Sequence, residues 1–421
     1  TIVPSGIATD DTTKFFFQDL VDRGSLVSLY DFENREAIFS EVHRSYKFCL
    51  LTLTGSARAA KRGAEFAFFL LRTSDLGDAE RRFTLSAEDL ALLNPNTRTC
   101  PIFRTRRDAE ITKAIYRRVP VLIKEGPPEE NPWGLTIRRI FDMNKQDVLG
   151  LCRTEQPSES GWLPMLEAKM FHQFDSRFAS YSSSEISDVS VSQKADARYS
   201  ATPRFWIPED EVKTRLHGKW DRRWLLGWRD ITNTTNERTL IAALLPRAGT
   251  DFTVRVGFPV GSPLDIAVLC AGLNSFCFDF VARQMLGGTH MSDFIFKQLP
   301  VPLRSTMRGP TPWKPGESLV NWIGLRALEL IYTDWGLEAF ARDCGYDGPP
   351  FVWDEERRFQ LRCELDAAFF HIYGIGPEDV GHIMETFPIV KRNDEATWGE
   401  YRTRKSVMDY YDKMTSAGIG E

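Results

Sequence analysis

The stretch TIVPSGIATDDTTKFFFQDLVDRGSLVSLYDFENREAIFSEVHRSYKFCLLTL, residues 1–53, decides the fold class. Ile2, Val3 and Pro4 read as a short strand running into a turn at Gly6. From Asp10 to Val21 the apolar Phe16, Phe17, Leu20 and Val21 recur at helical spacing; Asp10 or Asp11 stands where an N-cap belongs, and Gly24 supplies the stop. Leu26 to Phe32 predicts a strand, a charged loop runs on through Glu41, and KFCLLTL (47–53) predicts the next strand. Beyond it EFAFFLL (65–71) is another unbroken apolar run of strand length, as suits strands covered on both faces. Strand, helix, strand and two further strands imply the trailing half of a doubly wound, Rossmann-like α/β sheet. The chain opens on Thr1, within an element, so the leading half is expected upstream.

Outward from this stretch, residues 90–121 read as a basic helical connector holding Asn94-Pro95-Asn96-Thr97 and Arg104 to Arg107, and the Pro/Glu cluster 126–132 as a linker. Residues 180–201, rich in Ser, Asp and Ala, predict a mobile loop. A mixed α+β unit with short β-like runs such as 252–258 and an apolar helix from Leu264 to about Leu286 fills 202–303. After the Pro-rich junction 300–315, Leu328, Ile331, Tyr332, Trp335 and Phe340 mark helices closed by Gly345. The expected domains are therefore 1–125, 126–201, 202–303 and 304–421.

With 421 residues, 42% of them hydrophobic and 26% charged, the chain can build real cores, which excludes a largely disordered protein. The longest apolar stretch, 264–282, carries Asp265, Asn274 and Asp279, so it reads as a buried helix and not a membrane span. No basic leader precedes an apolar run, and seven cysteines without a Cys-x-x-Cys pair fit free thiols in a reducing cytoplasm and no zinc site. The net charge of −5 is unevenly spread: residues 317–421 hold 11 basic and 20 acidic residues, whereas 98–139 hold 10 basic and 5 acidic. A basic face beside an acidic tail permits nucleic-acid binding without demonstrating it.

There is no Gly-x-Gly-x-x-Gly, Walker A loop, His-Glu-x-x-His or Gly-x-Ser-x-Gly, and Asp347-Gly348-Pro349-Pro350-Phe351 reads as a turn between helices. Glu167-Ala168-Lys169 and Glu211-Val212-Lys213 could end a metal-dependent nuclease motif, with Asp147 as the upstream acid, although Glu-x-Lys is common by chance. Two regions carry binding chemistry. The loop after Phe32 offers Phe39, an aromatic at a sheet edge on which an extruded base could stack, beside the alternative of rings tucked into a core. The cluster RLHGKWDRRWLLGWRDITNTTNERT (215–239) interleaves cations with Trp. Lys219, Arg222, Arg223 and Arg229 suit phosphates, Trp228 offers a stacking plane, and Asn233, Thr235, Asn236 and Arg238 suit base edges; the alternative is a plain surface anchored by Trp. Arg104, Arg106 and Arg107 join the candidate DNA-binding set.

Residues 1–53, with LNPNTRTCPIFRTRRDAEITKAIY (92–116), LEAKMFHQFDSRFASY (166–181), GWRDITNTTNERTLIAALLP (227–246), LNSFCFDFVARQMLGGTHMSDFIFKQLPVP (273–302) and LDAAFFHIYGIGPEDV (365–380), resemble gamma-class DNA adenine-N6 methyltransferases. The likeness is to the large methylases of type IIG restriction–modification, phage-exclusion and DISARM systems, and it spans nearly the whole chain. It implies a Rossmann-like methylase sheet in 1–125, a junction, a target-recognition domain in 202–303 and a helical tail. It further implies S-adenosylmethionine as cofactor of the complete protein and double-stranded DNA as partner, with Phe39 packing against the flipped adenine. The family's glycine-containing donor site and its Asn/Asp-Pro-Pro-Tyr/Phe motif do not occur here. By the resemblance both would precede Thr1, so no cofactor is expected on this chain alone, and the missing N-terminal half or another defence subunit is the implied protein partner. Glu167 and Lys169 fall in the segment joining methylase and recognition domains, which weakens the nuclease alternative.

Overall fold

KFCLLTL forms a strand with the bounds its sequence predicts, Lys47–Leu53, in a computed structural model that describes residues 1–55 and 63–418. The fold is mixed α/β with several sheets. The chain divides into two compact units, 1–130 with 281–301, and 131–280 with 302–421.

The first unit opens with β1 (Ile2–Pro4) and α1 (Lys14–Asp22). The helix predicted from Asp10 starts later, because Asp11–Thr13 closes as a 3-10 turn in which the Thr13 hydroxyl donates to Gly6 O at 2.7 Å. Gly24, at φ +62°, then turns the chain into β2 (Leu26–Glu33). With β3 (Lys47–Leu53), β4 (Ala64–Leu70) and β5 (Phe83–Leu85) the sheet order is β1-β3-β2-β4-β5. β3 runs antiparallel to both β1 and β2, which therefore run alongside each other's direction and are joined through α1; β4 is parallel to β2. β4 is buried almost throughout, but β3 buries only Cys49 and Leu51 and leaves Leu53 exposed, so its unbroken apolar run does not mean cover on both faces.

The basic connector resolves into α2 (Ala87–Leu93) and α3 (Arg106–Arg118), each begun by a capping box, Ser86 with Asp89 and Thr105 with Asp108. Residues 281–301 return to this unit. The Gln298 side-chain oxygen accepts from Asn96 N and Thr97 N, and Tyr116 donates to Gln298 O.

In the second unit β6 (Thr136–Arg138), β11 (Trp224–Arg229), β12 (Ala242–Pro246) and β14 (Val254–Phe258) form one antiparallel sheet. β7 (Trp162–Leu166), β10 (Phe205–Pro208) and β13 (Gly249–Thr250) form another. Ile207, Leu225, Ala243, Leu245, Val254 and Val256 share one core. Residues 180–201 are not the loop their composition predicts. They contain the hairpin of β8 (Ala179–Ser182) and β9 (Glu185–Asp188) and the short helix α4 (Val191–Ala195). The cause lies outside the segment's own pattern: buried Arg177 donates to the carbonyls of Lys194, Asp196, Tyr199 and Thr333.

After α5 (Glu209–Leu216) come α6 (Pro263–Leu273) and α7 (Phe276–Met285), which replace the single apolar helix with two, broken at Asn274 and Ser275. Asn274 exchanges hydrogen bonds with Ala242 N and O, which fixes the break against β12. Among the described residues no single helix is long and apolar enough to cross a membrane. The tail is helical as predicted: α8 (Leu319–Ile331), α9 (Glu338–Asp343), α10 (Glu355–Tyr373), α11 (Pro377–Glu385), α12 (Pro388–Trp398) and α13 (Arg402–Gly418). Residues 347–351 lie in the irregular connection between α9 and α10.

Candidate nucleic-acid interface

In an α/β sheet the carboxyl ends of the strands, where the connections splay, are where ligands gather. Phe39 is carried on the loop leaving that end of β2. Its ring packs edge-to-face on Phe48, with centroids 4.9 Å apart, and is 39% exposed. The loop is held by Asn34, which is wholly buried: its Nδ2 donates to Phe39 O at 2.9 Å and Val42 O at 2.7 Å, and its Oδ1 accepts from Phe39 N at 2.9 Å. Ile38, Val42 and Tyr46 on the same loop are exposed too. The loop thus presents a water-facing apolar surface that a buried amide fixes from beneath.

Beside it the β2–β4 ladder slips, Tyr30 pairing with Ala67 but Phe32 with Leu70. Phe69, inside this bulge, takes φ +58°. Arg104 lies over the Phe69 ring at 3.9 Å and Lys47 at 5.2 Å. Asp31, next in β2, is buried; it accepts from the Ser5 hydroxyl and from the backbone at Phe69. Burial pushes its carboxyl up to about 6. The folded state thus holds this proton more tightly than the unfolded chain. Asp31's contribution is most favourable below pH 4 and is lost as pH rises through about 6. Asp31→Asn removes that slope, so the stability of wild type relative to the variant falls by roughly 3 kcal/mol from pH 4 to pH 7. Urea unfolding across this range checks it, and a pH-independent difference refutes it.

Of the other predicted residues in this unit, Arg106 donates to the carbonyls of Ala79 and Arg82, and Arg107 is exposed on the first turn of α3.

The cluster 215–239 in the second unit separates into two sets. Lys219, Arg222 and Arg223 precede β11. Lys219 donates to Arg215 O, Arg222 donates to Gly261 O at 2.6 Å, and Arg223 is exposed. Trp228 and Arg238 are buried, which takes them away from any surface that could meet a duplex. Trp228 lies on β11, where Trp224 to Trp228 are all buried, and Arg238 pairs with Asp279 at 3.0 Å. Arg229 is spent on Phe171 O. Asn233 Oδ1 accepts from Thr235 N and Oγ1, and Asn236 N donates to Asn233 O, so these residues close a turn. Sequence reasoning missed Arg247 and Trp335, which line the same groove as Arg222 and Arg223. It also missed Asn34; only its place one residue beyond a strand hinted at it.

The Glu-x-Lys segment is organised otherwise. Glu167 accepts from Tyr181 at 2.8 Å and pairs with Lys169 at 3.5 Å. The nearby carboxylate belongs to Asp251, beyond β13, and not to Asp147: Thr250 pairs with Leu166, and the Thr253 hydroxyl accepts from Ala168 N while donating to Asp251. Lys213 pairs with Glu209 and Asp210. Among the described residues no three His, Cys, Asp or Glu side chains are grouped to hold a metal ion.

No family model and no curated protein matches the chain.

Proposed function

We propose that this chain is the DNA-binding and sequence-recognition portion of a site-specific DNA adenine-N6 methyltransferase of a restriction–modification or phage-defence system. One observation carries the reading: a half-exposed Phe39 fixed by buried Asn34 at the carboxyl end of a sheet, as stacking of an extruded base requires. The same-direction strands β1 and β2, joined through a helix, support the trailing edge of a Rossmann-like sheet.

The residues present do not fit the methyl donor. Only Gly6 follows β1, and the Asp10 carboxylate fills the space beside it. Asp31 already spends its carboxylate on Ser5 and the Phe69 backbone. S-adenosylmethionine accordingly belongs to the complete protein, and DNA is the partner of this chain. The exposed Ile2 of β1, an edge strand of its sheet, and the exposed Phe15 and Phe16 of α1 favour a completing half, either in the same polypeptide or in trans. In the second case the chain is a non-catalytic specificity subunit acting in a cytoplasmic defence complex.

The test is incubation with labelled S-adenosylmethionine and duplex DNA. No methyl transfer is expected from the chain alone, and transfer is expected once a segment with the glycine loop and Asn-Pro-Pro-Tyr is added. Robust incorporation by the chain alone overturns the proposal.

A further inference from the structure

Arg223 and Arg247 stand opposite each other at the end of the β11–β12 ladder. Trp224 pairs with Pro246, and one step outward Arg247 N donates to Arg223 O at 3.0 Å. Opposed residues on an antiparallel ladder bring their Cβ atoms to about 5 Å, where like charges repel. Neither guanidinium meets a carboxylate among the described residues, and Arg247 Nε is buried with no acceptor. Arg222 lies over Trp220 and Trp224, 5.2 and 5.0 Å from their centroids, with its Nη1 buried and also without an acceptor.

These three arginines line a groove of about 820 Å³ that also holds the 45% exposed Trp335. The acidic groups in it are mostly taken. Glu338 pairs with Arg342 at 2.7 Å, Asp343 accepts from Trp224 Nε1 at 2.7 Å, and Glu209 pairs with Lys213 at 3.3 Å. Asp221 is the fourth carboxylate of the lining, and Arg342 its fourth guanidinium. Opposed guanidinium groups whose buried N–H atoms have no acceptor suit an anion, and paired guanidinium forks match the oxygens of phosphate.

We infer that this groove clamps phosphate groups of a nucleic-acid backbone, with Arg223 and Arg247 sharing one phosphate and Trp335 stacking on an adjoining base. The phosphate chemistry stands on the groove itself; its assignment to a nucleic acid rests on the proposed function.

The experiment titrates the full chain with fluorescein-labelled duplex from 50 to 200 mM KCl, and separately with inorganic pyrophosphate, following Trp fluorescence. Arg247→Ala and Arg223→Ala are each expected to weaken duplex binding about tenfold at 50 mM salt and to lower the log–log salt slope by about one. Arg247→Lys, which keeps the charge, retains the slope. Trp335→Phe removes the pyrophosphate-induced change in emission. Unchanged duplex affinity and slope in both alanine variants, with no pyrophosphate response, overturn the clamp. A pyrophosphate response that requires Arg247, in a chain that binds no duplex, overturns the backbone assignment and the proposed function while upholding the phosphate site. Loss of the duplex slope in the alanine variants of a chain that never completes a methylase upholds the clamp and sinks only the methylase reading.

Discussion

Replacing Arg238 by Ala lowers the unfolding free energy by about 3–5 kcal/mol, the range for breaking a buried ion pair. Asp279 is fully buried, and its carboxylate accepts from Thr239 N at 2.9 and 3.0 Å and from Leu240 N at 3.3 Å while facing Arg238 Nε at 3.0 Å. Those backbone donors stay when the guanidinium goes, but the 3.0 Å ion pair does not. The variant also removes the cation stacked 4.0 Å from the Phe276 centroid and the bond to Asn274 O. Removing both charges at once, as Arg238→Met with Asp279→Leu, is expected to recover little of the loss, because Thr239 N and Leu240 N are then buried without their acceptor. Urea unfolding of the two variants decides it: a loss below about 1 kcal/mol for Arg238→Ala would mean that the pair contributes little.

Asn34→Ala is expected to cost about 2–4 kcal/mol, the sum of three part-buried hydrogen bonds at roughly 1 kcal/mol each with some unpaired carbonyl penalty. The effect is local. Released from Asn34, residues 35–46 exchange their amide protons faster and become open to protease, while β4 and α3 keep their protection. Phe39 loses its fixed orientation with the loop, so stacking of an unpaired 2-aminopurine, worth about 1–3 kcal/mol on an ordered aromatic, falls toward that of Phe39→Ala. Phe39→Ala itself removes the stacking yet leaves amide exchange in the loop unchanged. If Asn34→Ala quenches 2-aminopurine as wild type does, the loop is ordered by something other than the buried amide.

The elements that local pattern defines were legible: Lys47–Leu53 has its predicted bounds, and Leu26–Phe32 falls one residue short of the strand observed. Segments governed by distant partners were not. Nothing in residues 180–201 announces Arg177, whose bonds to three carbonyls there impose order on Ser-rich chain. Charge and ring type marked Arg222 and Arg223 as well as Trp228 and Arg238, since composition cannot tell a surface position from a buried one. Trp335 escaped because it stands more than a hundred residues beyond Arg223, and Arg247 because only the β11–β12 ladder sets it opposite Arg223. Asn34 looked like any polar residue after a strand until its three bonds to the loop were in view.

The interruption at Asn274 and Ser275 decides what kind of segment 264–282 becomes. An unbroken helix would commit the carbonyl of Asn274 to the amide four residues on. Here that oxygen is turned outward instead, and it receives Arg238 and Gln173. A stretch greasy enough to suit a lipid phase is thereby cross-linked through its own backbone to polar side chains, so that detergent or vesicles should offer it no rival home while those links hold.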